Sequence, residues 1–375
     1  MSWLTSVMKH VDYLRGRYEP FAVRDEADRT AALAVLEEVR RYELNRVQGR
    51  SVLESSAFVD AEVESKLYAV RDTQDGRVVG CVRSTPVAQI ATLPDSRREY
   101  ELDKFPPELI ERSEVITRLA ILKDHRKTAA SPALFRKLYD DALDEGRLLL
   151  GLLSCEPGLY AGYLRIGFRP VGAVHQGASG GFRIPMVFVN HDLEHLKQVR
   201  SPLARQLARR SGPHPQEGVL WYRALEAREG NIHPGVAFYM DDGKQEVHAP
   251  LTRGLSEDGR ADLLRNAMEV DCHPGDVVVA AGDGGRSMGF VVRGLVQVET
   301  QQRVVALLGE GELFGEMAIA LEKPRTANVV AASDDTRVLM LSQSCLARLR
   351  DPADVAQAWR NLARVLATRV QRRNG

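Results

Sequence analysis

The stretch Phe314-Gly-Glu-Met-Ala-Ile-Ala-Leu-Glu-Lys-Pro-Arg-Thr-Ala-Asn-Val329 decides the fold of the C-terminal third of the chain. Glycine at position 315 lets the backbone approach a ligand closely, and a short helical turn after it would direct free backbone N–H groups at an anion. Arg325 can form two parallel hydrogen bonds to a phosphate. Glu316 can accept a hydrogen bond from a ribose hydroxyl, and Thr326 adds a polar contact. The alternative is a strand–loop–strand segment whose charges are incidental.

The sequence around this stretch is typical of a small all-β roll. From residue 272 onward, short β-rich runs alternate with Gly-Asp turns such as Pro274-Gly-Asp276 and Gly282-Asp283. A final helix over 353–372 carries apolar residues at helical spacing. We therefore expect an all-β roll with flanking helices over residues 251–375.

The stretch closely resembles the phosphate-binding cassette of the cyclic-nucleotide-binding domain family, to which the catabolite activator protein and the regulatory subunit of cAMP-dependent kinase are similar. The resemblance implies that Glu316 binds the ribose 2′-hydroxyl and that Arg325 pairs with the cyclic phosphate. A hydroxyl at Thr326 could favour guanine, so both cAMP and cGMP stay open as the ligand. The nucleotide-binding residues implied are Phe314, Gly315, Glu316, Met317, Ala318, Arg325, Thr326 and Ala327, with backbone N–H groups near Gly315, Ala318 and Ala327 facing the phosphate.

The segment after the roll bears on regulation. In this family it folds over the nucleotide as a lid, so the helix at 353–372 is expected to move, with Trp359, Arg360 and Arg364 touching the base or the neighbouring domain. The alternative is a helix that only caps the roll. Transcription factors of the family carry a helix-turn-helix domain after the roll, whereas this sequence leaves room for a single helix. Together with a formal net charge of zero, this predicts no nucleic-acid partner.

The N-terminal half has the pattern of an α/β sheet domain, because strands and helices alternate between residues 60 and 190. Asp75-Gly76 is a strong turn signal between two strands. Ser131 is the expected N-cap of a helix that a proline opens. The expected strands are 66–71, 77–84, 115–122, 148–153 and 169–175, and the expected helices are 27–47, 132–145 and 157–165.

Two segments of this half resemble the GNAT acyltransferases. The run Tyr163-Leu-Arg-Ile-Gly-Phe168 resembles their C-terminal motif, in which a tyrosine lies near the departing thiolate and can protonate it. The alternative is an aromatic ring packed into the core. The strand 115–122 leads into a turn that resembles the family's pyrophosphate-binding loop at a helix N-terminus. Arg126 is in place there, whereas Ala129 and Ser131 stand where glycines are usual.

The domain as a whole looks most like N-acyl amino acid synthases and acyl-homoserine-lactone synthases, which share the Gly80-Cys-Val-Arg-Ser84 strand and an arginine on the central strand, here Arg118. Glu114 is the candidate carboxylate near the acceptor amine, although the synthases place it three residues before the arginine rather than four. The implied catalytic residues are Tyr163, Glu114 and Arg118. The implied acyl-donor-binding residues are Leu119, Ile121, Arg126, Lys127, Ala129 and Ser131.

The donor implied by the resemblance is acyl-CoA or acyl-carrier protein. Acyl-carrier protein is acidic, and Arg126, Lys127, Arg136 and Lys137 lie together at the start of a helix, where they could receive it. A solvated basic helix face is the alternative. The function predicted is acyl transfer to an amine under control of cAMP or cGMP. A protein lysine acyltransferase and a non-enzymatic nucleotide sensor with a degenerate acyltransferase domain are the alternatives.

Composition limits the remaining possibilities. Four scattered cysteines without CxxC spacing indicate free thiols in a reducing cytoplasm. No apolar run reaches the roughly 20 residues of a membrane span, and the pair His191 and His195 lacks a third ligand, so no metal site is expected. An apolar stripe in the first residues predicts an amphipathic docking helix, with a membrane-surface anchor as the alternative. The expected division is 1–19 for that helix, 20–195 for the acyltransferase-like domain, 196–250 for a bridge and 251–375 for the roll.

Overall fold

The computed structural model describes residues 16–43, 65–126, 128–177, 181–230, 236–238, 249–265, 267–282, 287–301, 303–321, 325–342 and 345–374. The predicted N-terminal helix lies outside these ranges up to residue 15. The last two residues of the predicted helix segment, Tyr18 and Glu19, begin a strand instead.

The N-terminal half contains one eight-stranded mixed sheet, in the order β1-β2-β3-β4-β5-β8-β6, with β7 also pairing with β8. Its strands are β1 (Tyr18–Ala22), β2 (Lys66–Asp72), β3 (Val78–Pro86), β4 (Ser113–Ile121), β5 (Leu150–Cys155), β6 (Arg169–Pro170), β7 (His175–Gln176) and β8 (Phe182–Val189). All neighbours are antiparallel except β4 and β5. The predicted turn at Asp75-Gly76 joins β2 to β3, and Gly76 has the positive φ of 73° that favours glycine there.

Helices cover both faces of this sheet. They are α1 (Glu26–Glu43), α2 (Pro94–Glu99), α3 (Pro107–Glu111), α4 (Ala130–Glu145), α5 (Pro157–Ile166), α6 (Leu193–Gln198), α7 (Ala204–Ala208) and α8 (Glu217–Glu229), with 3₁₀ turns at Val87–Gln89, Leu102–Lys104 and Lys123–His125. On one face α4 packs through Phe135 and Tyr139. On the other, α8 packs through Val219 and Tyr222. The sheet is therefore buried between helical layers, as expected for an α/β domain.

The parallel pair β4 and β5 separates part-way along its length. Pairing runs from Ser113 with Leu150 to Val115 with Leu152 and then stops, although β4 continues to Ile121. A bulge lies at the same point on the other side of β4. The pairing register between β3 and β4 shifts there, and Arg118 has a φ of +55°. A bulge bends its strand and increases the local twist, which accounts for the divergence. The edges of β4 and β5 that face each other beyond Val115 form a V-shaped opening, called the strand opening below.

Two local expectations were wrong. Residues 169–175 do not form one strand. They form the two-residue strands β6 and β7, because the segment between these strands does not continue the ladder with β8. Ser131 is not the N-cap of α4, which begins one residue earlier at Ala130. The hydroxyl of Thr128 accepts a hydrogen bond from the Ala130 N–H at 3.2 Å, so a side chain two residues before the helix does the capping.

The C-terminal part is an antiparallel roll of two sheets, ordered β15-β12-β17-β10-β9 and β11-β16-β13-β14. The strands are β9 (Val236–Phe238), β10 (Met268–Asp271), β11 (Val277–Val279), β12 (Ser287–Arg293), β13 (Val296–Thr300), β14 (Arg303–Leu308), β15 (Leu313–Phe314), β16 (Asn328–Ala331) and β17 (Arg337–Ser342). The flanking helices are α9 (Ala249–Thr252), α10 (Glu257–Leu264), α11 (Glu316–Ala320), α12 (Cys345–Arg348) and α13 (Pro352–Asn374). The expected fold classes, mixed α/β followed by a β roll with flanking helices, are confirmed.

The segment predicted as a bridge contributes to both halves. Its helix α8 packs against the first sheet, whereas its strand β9 pairs antiparallel with β10 at the edge of the roll. The two halves also share one continuous apolar cluster, in which Phe168 and Phe188 belong to the same core as Val278 and Met340 of the roll. The predicted domain limits at 19, 195 and 250 stay predictions.

Candidate functional sites

The cassette begins with a glycine whose backbone excludes other residues. Gly315 has a φ of +75° and caps the N-terminus of α11. A Cβ atom at this position would lie 2.3 Å from Nη1 of Arg325. Both the left-handed conformation and the close approach of the guanidinium therefore require glycine, whereas the predicted approach of a ligand to this backbone stays a prediction.

Arg325 is buried and held by the backbone on either side of the cassette. Its Nη1 donates to the carbonyl oxygen of Gly315 at 2.7 Å, and its Nη2 donates to the Ser287 hydroxyl at 3.0 Å and to the Ser287 carbonyl. Only 7% of the residue is exposed. A buried guanidinium held by neutral oxygens retains its full positive charge. It is therefore a site where an anion would be bound strongly.

Glu316, the first residue of α11, is also buried, with 1% of the residue exposed. Its carboxylate forms an ion pair with Arg369 from the last turns of α13, and the same guanidinium donates to the Leu313 carbonyl. In this contact, Nη1 of Arg369 donates a hydrogen bond to Oε1 of Glu316. The C-terminal helix thus contacts Glu316, the residue for which the family resemblance implies a hydrogen bond to the ribose.

The other cassette residues divide by exposure. Phe314 and Ala318 are buried in the roll, whereas Met317 and Thr326 are exposed and Ala327 is half-buried. Asn328, which follows the predicted residues directly, accepts a hydrogen bond on its Oδ1 from the Ala281 N–H at 2.7 Å. The structure therefore brings all eight predicted nucleotide residues to one short loop, helix and strand start.

The helix expected as a lid reaches the cassette through a residue that the sequence did not single out. Trp359 is 45% exposed, and Arg360 donates to Gln357 on its own helix. Arg364 lines a cavity of about 750 Å³ beside the cassette, together with Arg369 and Arg253. Arg369 is the residue of α13 that contacts the cassette. The only sequence signal for its position was the apolar spacing, which predicts that the helix continues past residue 369.

At the strand opening, the structure gathers two of the predicted donor-binding residues, Leu119 and Ile121, and the predicted catalytic residue Arg118. All three lie on β4 beyond its last pair with β5. Within the described ranges, the backbone edges of β4 and β5 that face each other there have no strand partner. Backbone N–H and C=O groups in such a position need a partner. The opening can accordingly bind a ligand that carries amide groups.

The loop between β4 and α4 holds the remaining predicted donor residues. Nε of Arg126 donates to the Ile121 carbonyl at 2.9 Å, which turns this side chain back toward the end of β4. Ala129 is buried and Ser131 is half-buried at the start of α4. Lys127 lies outside the described residues. Lys137, part of the predicted basic face, pairs with Asp141 at 2.5 Å.

Glu114 faces the α4 side of the sheet and is 6% exposed. Its Oε2 accepts a hydrogen bond from the Ser84 hydroxyl, and its Oε1 lies 3.4 Å from Nζ of Lys66. Both carboxylate oxygens therefore already have partners. Glu114 closes the polar end of a narrow apolar pocket whose other walls include Ile116, Phe135, Leu138, Tyr139, Phe168 and Phe188.

Tyr163 lies on α5, half-buried, with its ring edge-on to Phe168 at 5.4 Å between centroids. It packs against the same apolar cluster as Ile116 and Leu119 of β4. Helix α5 follows β5 directly, and β5 is one of the two strands that form the opening. The geometry agrees with either an acid for a leaving thiolate or a core aromatic residue.

A polar cluster that the sequence analysis missed lies on the opposite face. Glu99 at the end of α2 accepts a contact from Nε2 of His175 on β7 at 3.4 Å. Burial alone would raise the pKa of Glu99, but the hydrogen bond to His175 and the nearby Ser154 lower it below its usual value. The two residues are 76 positions apart, so no local motif could have predicted the pair.

The paired histidines do not form a metal site in the described part of the chain, where no group of three or more ligating side chains converges. His195 is buried next to Arg169, and burial together with that charge lowers its pKa to about 4. His191 stacks on His214 at 5.8 Å between ring centroids. All four cysteines are buried and unpaired. None of the described helices has the length and apolarity that crossing a bilayer demands.

Comparison with known sequences identifies the C-terminal domain. Residues 269–351 match the cyclic nucleotide-binding domain family. The cyclic AMP receptor protein of Thermus thermophilus is 34% identical over 129 residues, which cover 33% of this chain and 58% of that protein. The Pycsar effector protein XpPycTIR of Xanthomonas perforans is 29% identical over 142 residues, covering 36% of this chain and 46% of that protein. The chain thus spans about half the length of these relatives. The C-terminal part belongs to the cyclic nucleotide-binding domain family.

Two solved structures are similar to different parts of the chain. Thermus thermophilus catabolite activator protein aligns at 32% identity and a TM-score of 0.29, covering 33% of this chain and 60% of its own. FeeM, an N-acyl amino acid synthase from uncultured soil microbes, aligns at 14% identity and a TM-score of 0.37. That alignment covers 50% of this chain and 97% of FeeM.

Proposed function

We propose that the protein is an N-acyltransferase controlled by cAMP or cGMP. The observation that carries this proposal is the strand opening between β4 and β5, which begins after the Val115–Leu152 pair and leaves two facing backbone edges in the middle of a buried sheet. The pantetheine arm shared by coenzyme A and acyl-carrier protein contains amide groups. Such an arm would complete the hydrogen bonding of these edges as a strand does.

The acyl group has a candidate location as well. The narrow pocket between α4 and the sheet is lined by Phe135, Leu138, Phe168 and Phe188 and is therefore mostly apolar. The free volume of the pocket is about 30 Å³, so its walls would have to move apart for an acyl chain to enter, and each CH₂ buried there would contribute roughly 0.8 kcal/mol. In this proposal Glu114 and Ser84, at the polar end of the pocket, lie toward the thioester. Tyr163 is the acid for the leaving thiolate.

Regulation would act through a direct contact between the two halves of the chain. The side-chain amide of Gln176 on β7 donates to the Val277 carbonyl at 3.1 Å and accepts from the Val277 N–H at 3.2 Å. Val277 begins β11, which pairs with β16 directly after the cassette. Gly282, just beyond β11, donates to the Arg325 carbonyl at 2.8 Å. A ligand at Arg325 thus has a short path of hydrogen-bonded backbone to the transferase sheet. This path can couple the two sites only if it has two conformations and the nucleotide binds one of them more tightly than the other.

A non-enzymatic nucleotide sensor is the second candidate function. Alanine and serine at 129 and 131 favour it, because the helix start offers fewer glycine N–H groups for a pyrophosphate. Acylation of a protein lysine is the alternative within the enzyme class. In each case the expected compartment is the cytoplasm, where four unpaired buried thiols persist.

Acyl transfer measured with the full chain tests the proposal. Medium-chain acyl-CoA and the same acyl group on acyl-carrier protein serve as donors, amino acids and a lysine peptide as acceptors, with cAMP, cGMP or neither. We expect transfer from at least one donor and a rate that changes with one nucleotide. In the Arg325→Ala variant, nucleotide affinity should fall by roughly 2–4 kcal/mol and the rate should no longer respond. The Arg303→Ala variant, on an exposed part of β14, is the matched control.

Two results would contradict the proposal in different ways. Donor binding by calorimetry without any transfer would favour the non-enzymatic sensor. If the protein binds nucleotide but transfers acyl groups at the same rate with and without it, the proposed enzyme activity would stand and the proposed regulation would be contradicted.

A further inference from the structure

The residues that could deprotonate the acceptor amine lie on the face of the sheet that the donor-side residues leave unused. Side chains alternate between the two faces along a strand. Leu150 and Leu152 of β5 pack with α8, so Ser154 points to that same face. It is two residues beyond the last pair of β5 with β4. Ser154 therefore stands at the rim of the strand opening, and Glu99 and His175 lie beside it.

We infer that His175, oriented by Glu99, is the base that takes the proton from the acceptor amine. The inference rests on the proposed acyl transfer and specifies the acceptor side of that reaction. Nε2 of His175 faces the Glu99 carboxylate at 3.4 Å. Among the described residues, Nδ1 has no hydrogen-bond partner. Glu99 accepts from the Nε2–H, and this tautomer leaves the lone pair of Nδ1 to accept a proton.

The alternative base, Glu114, is less well placed. Ser84 and Lys66 already contact its two oxygens, and it faces the apolar pocket on the α4 side. An amine would have to displace the Ser84 hydroxyl or the half-exposed Lys66 ammonium to reach it. His175 and Glu99 have 13% and 21% of their side chains exposed, so they lie closer to solvent, from which the amine arrives.

The reaction balances with the residues named. The lone pair of the amine nitrogen forms the C–N bond to the thioester carbonyl, and the ammonium proton that results passes to Nδ1 of His175. The C–S bond then breaks, and the thiolate takes a proton from Tyr163. Product release returns the His175 proton to solvent, and Tyr163 regains its own.

The base also lies next to the contact between the two halves of the chain. Gln176, which follows His175 on the two-residue strand β7, carries both hydrogen bonds to Val277 of the roll. Nδ1 is covered in this conformation, so an amine can reach it only when β7 shifts. Any displacement of β11 by nucleotide would therefore move the imidazole itself.

The pH dependence follows from the groups around the pair. The charged groups that face the imidazole are Glu99 from α2 and Arg183, opposite His175 on β8, whereas Tyr100 and Cys155 are buried with raised pKa values and stay neutral. A base must be unprotonated, so kcat/KM should rise with pH. Replacement of Glu99 by Gln removes the carboxylate that orients the Nε2–H and should lower the rate.

The test is the pH profile of kcat/KM for the full chain and for His175→Ala, His175→Gln and Glu99→Gln, with exposed His273→Gln as the control. We expect a loss of about 10²-fold or more in both His175 variants, unchanged donor affinity, and partial rescue of His175→Ala by added imidazole. His175→Gln keeps an N–H for Glu99 and decides the matter if the alanine variant unfolds. A wild-type protein that transfers and a His175→Gln variant within about threefold of it would overturn this inference alone. A wild-type protein that transfers to no amine would overturn the proposed function with it.

Discussion

Arg369, six residues before the end of the chain, forms an ion pair with Glu316, the buried carboxylate that opens α11 in the nucleotide cassette. The two residues are 53 positions apart, and the same guanidinium also holds the Leu313 carbonyl. The last turns of α13 therefore contact the residues of the cassette directly. The free energy of this contact is directly accessible to measurement.

Replacement of Arg369 by Gln should destabilise the protein by roughly 1–3 kcal/mol, because it leaves a buried carboxylate without its charged partner. The double variant Arg369→Gln, Glu316→Gln should lose less, since no orphan charge remains. Denaturant unfolding of the single and double variants measures the coupling. Arg360→Ala, on the same helix but bonded only within it, should be close to neutral. Additive losses in the double variant would mean that the ion pair does not form in solution.

Reversal of charge at Arg126 and Lys127 should separate the two possible donors. With both replaced by Glu, an acyl-carrier protein should bind more weakly and associate more slowly, because its acidic surface meets like charge. Binding of acyl-CoA should change less. Affinity and association rate at two salt concentrations provide the measurement, and Arg98→Glu, exposed on α2, is the control. No effect on either donor would indicate that the basic face is merely solvated.

Gln176→Ala should leave nucleotide affinity intact and weaken the effect of nucleotide on acyl transfer. The variant removes both hydrogen bonds to Val277 while the cassette stays complete. Allosteric coupling is typically 1–3 kcal/mol, and we expect the ratio of rates with and without nucleotide to move toward one. Calorimetry and the transfer assay on the same preparation measure the two quantities. Gln297→Ala, on β13 and bonded to Glu299, is the matched control. An unchanged ratio would place the coupling elsewhere in the interface.

Stability should fall in mild acid because of His195. Its pKa is lowered from 6.5 to about 4 in the folded chain by burial and by Arg169. Between these two values the unfolded chain binds a proton that the folded chain does not, so the free energy of unfolding decreases as pH falls. Unfolding at about pH 7 and about pH 5 should show a smaller difference for His195→Gln than for the wild type. Exposed His273→Gln should behave as the wild type does.

Elements that depend on local residues were predictable from the sequence. The cassette could be predicted because Gly315, Glu316 and Arg325 lie within eleven consecutive positions. Each of these residue types also has a distinct chemical reason to be there. The turn at Asp75-Gly76 and the helix N-terminus at Pro157 followed from local conformational preferences in the same way.

Elements that depend on long-range packing were not predictable. The bulge at Arg118 places a non-glycine residue at positive φ, and only the pairing of β4 with both neighbours imposes it. The sequence could not separate β6 from β7, because each strand has only two residues and is defined by its backbone pairing with β8. The pairs Glu99–His175 and Glu316–Arg369 join residues more than 50 positions apart, so only the fold brings them together.

Strand β9 has a practical consequence for dissecting the molecule. It lies in the segment before the predicted start of the roll, yet it covers the outer edge of β10 through pairs such as Val236 with Val270. A fragment that starts at residue 251 would uncover that edge, with its unpaired N–H and C=O groups next to apolar Met268 and Val270. Exposed edges of this kind pair with other chains. We expect such a fragment to dimerise or aggregate through this edge, whereas a fragment that starts before residue 236 would keep the edge closed.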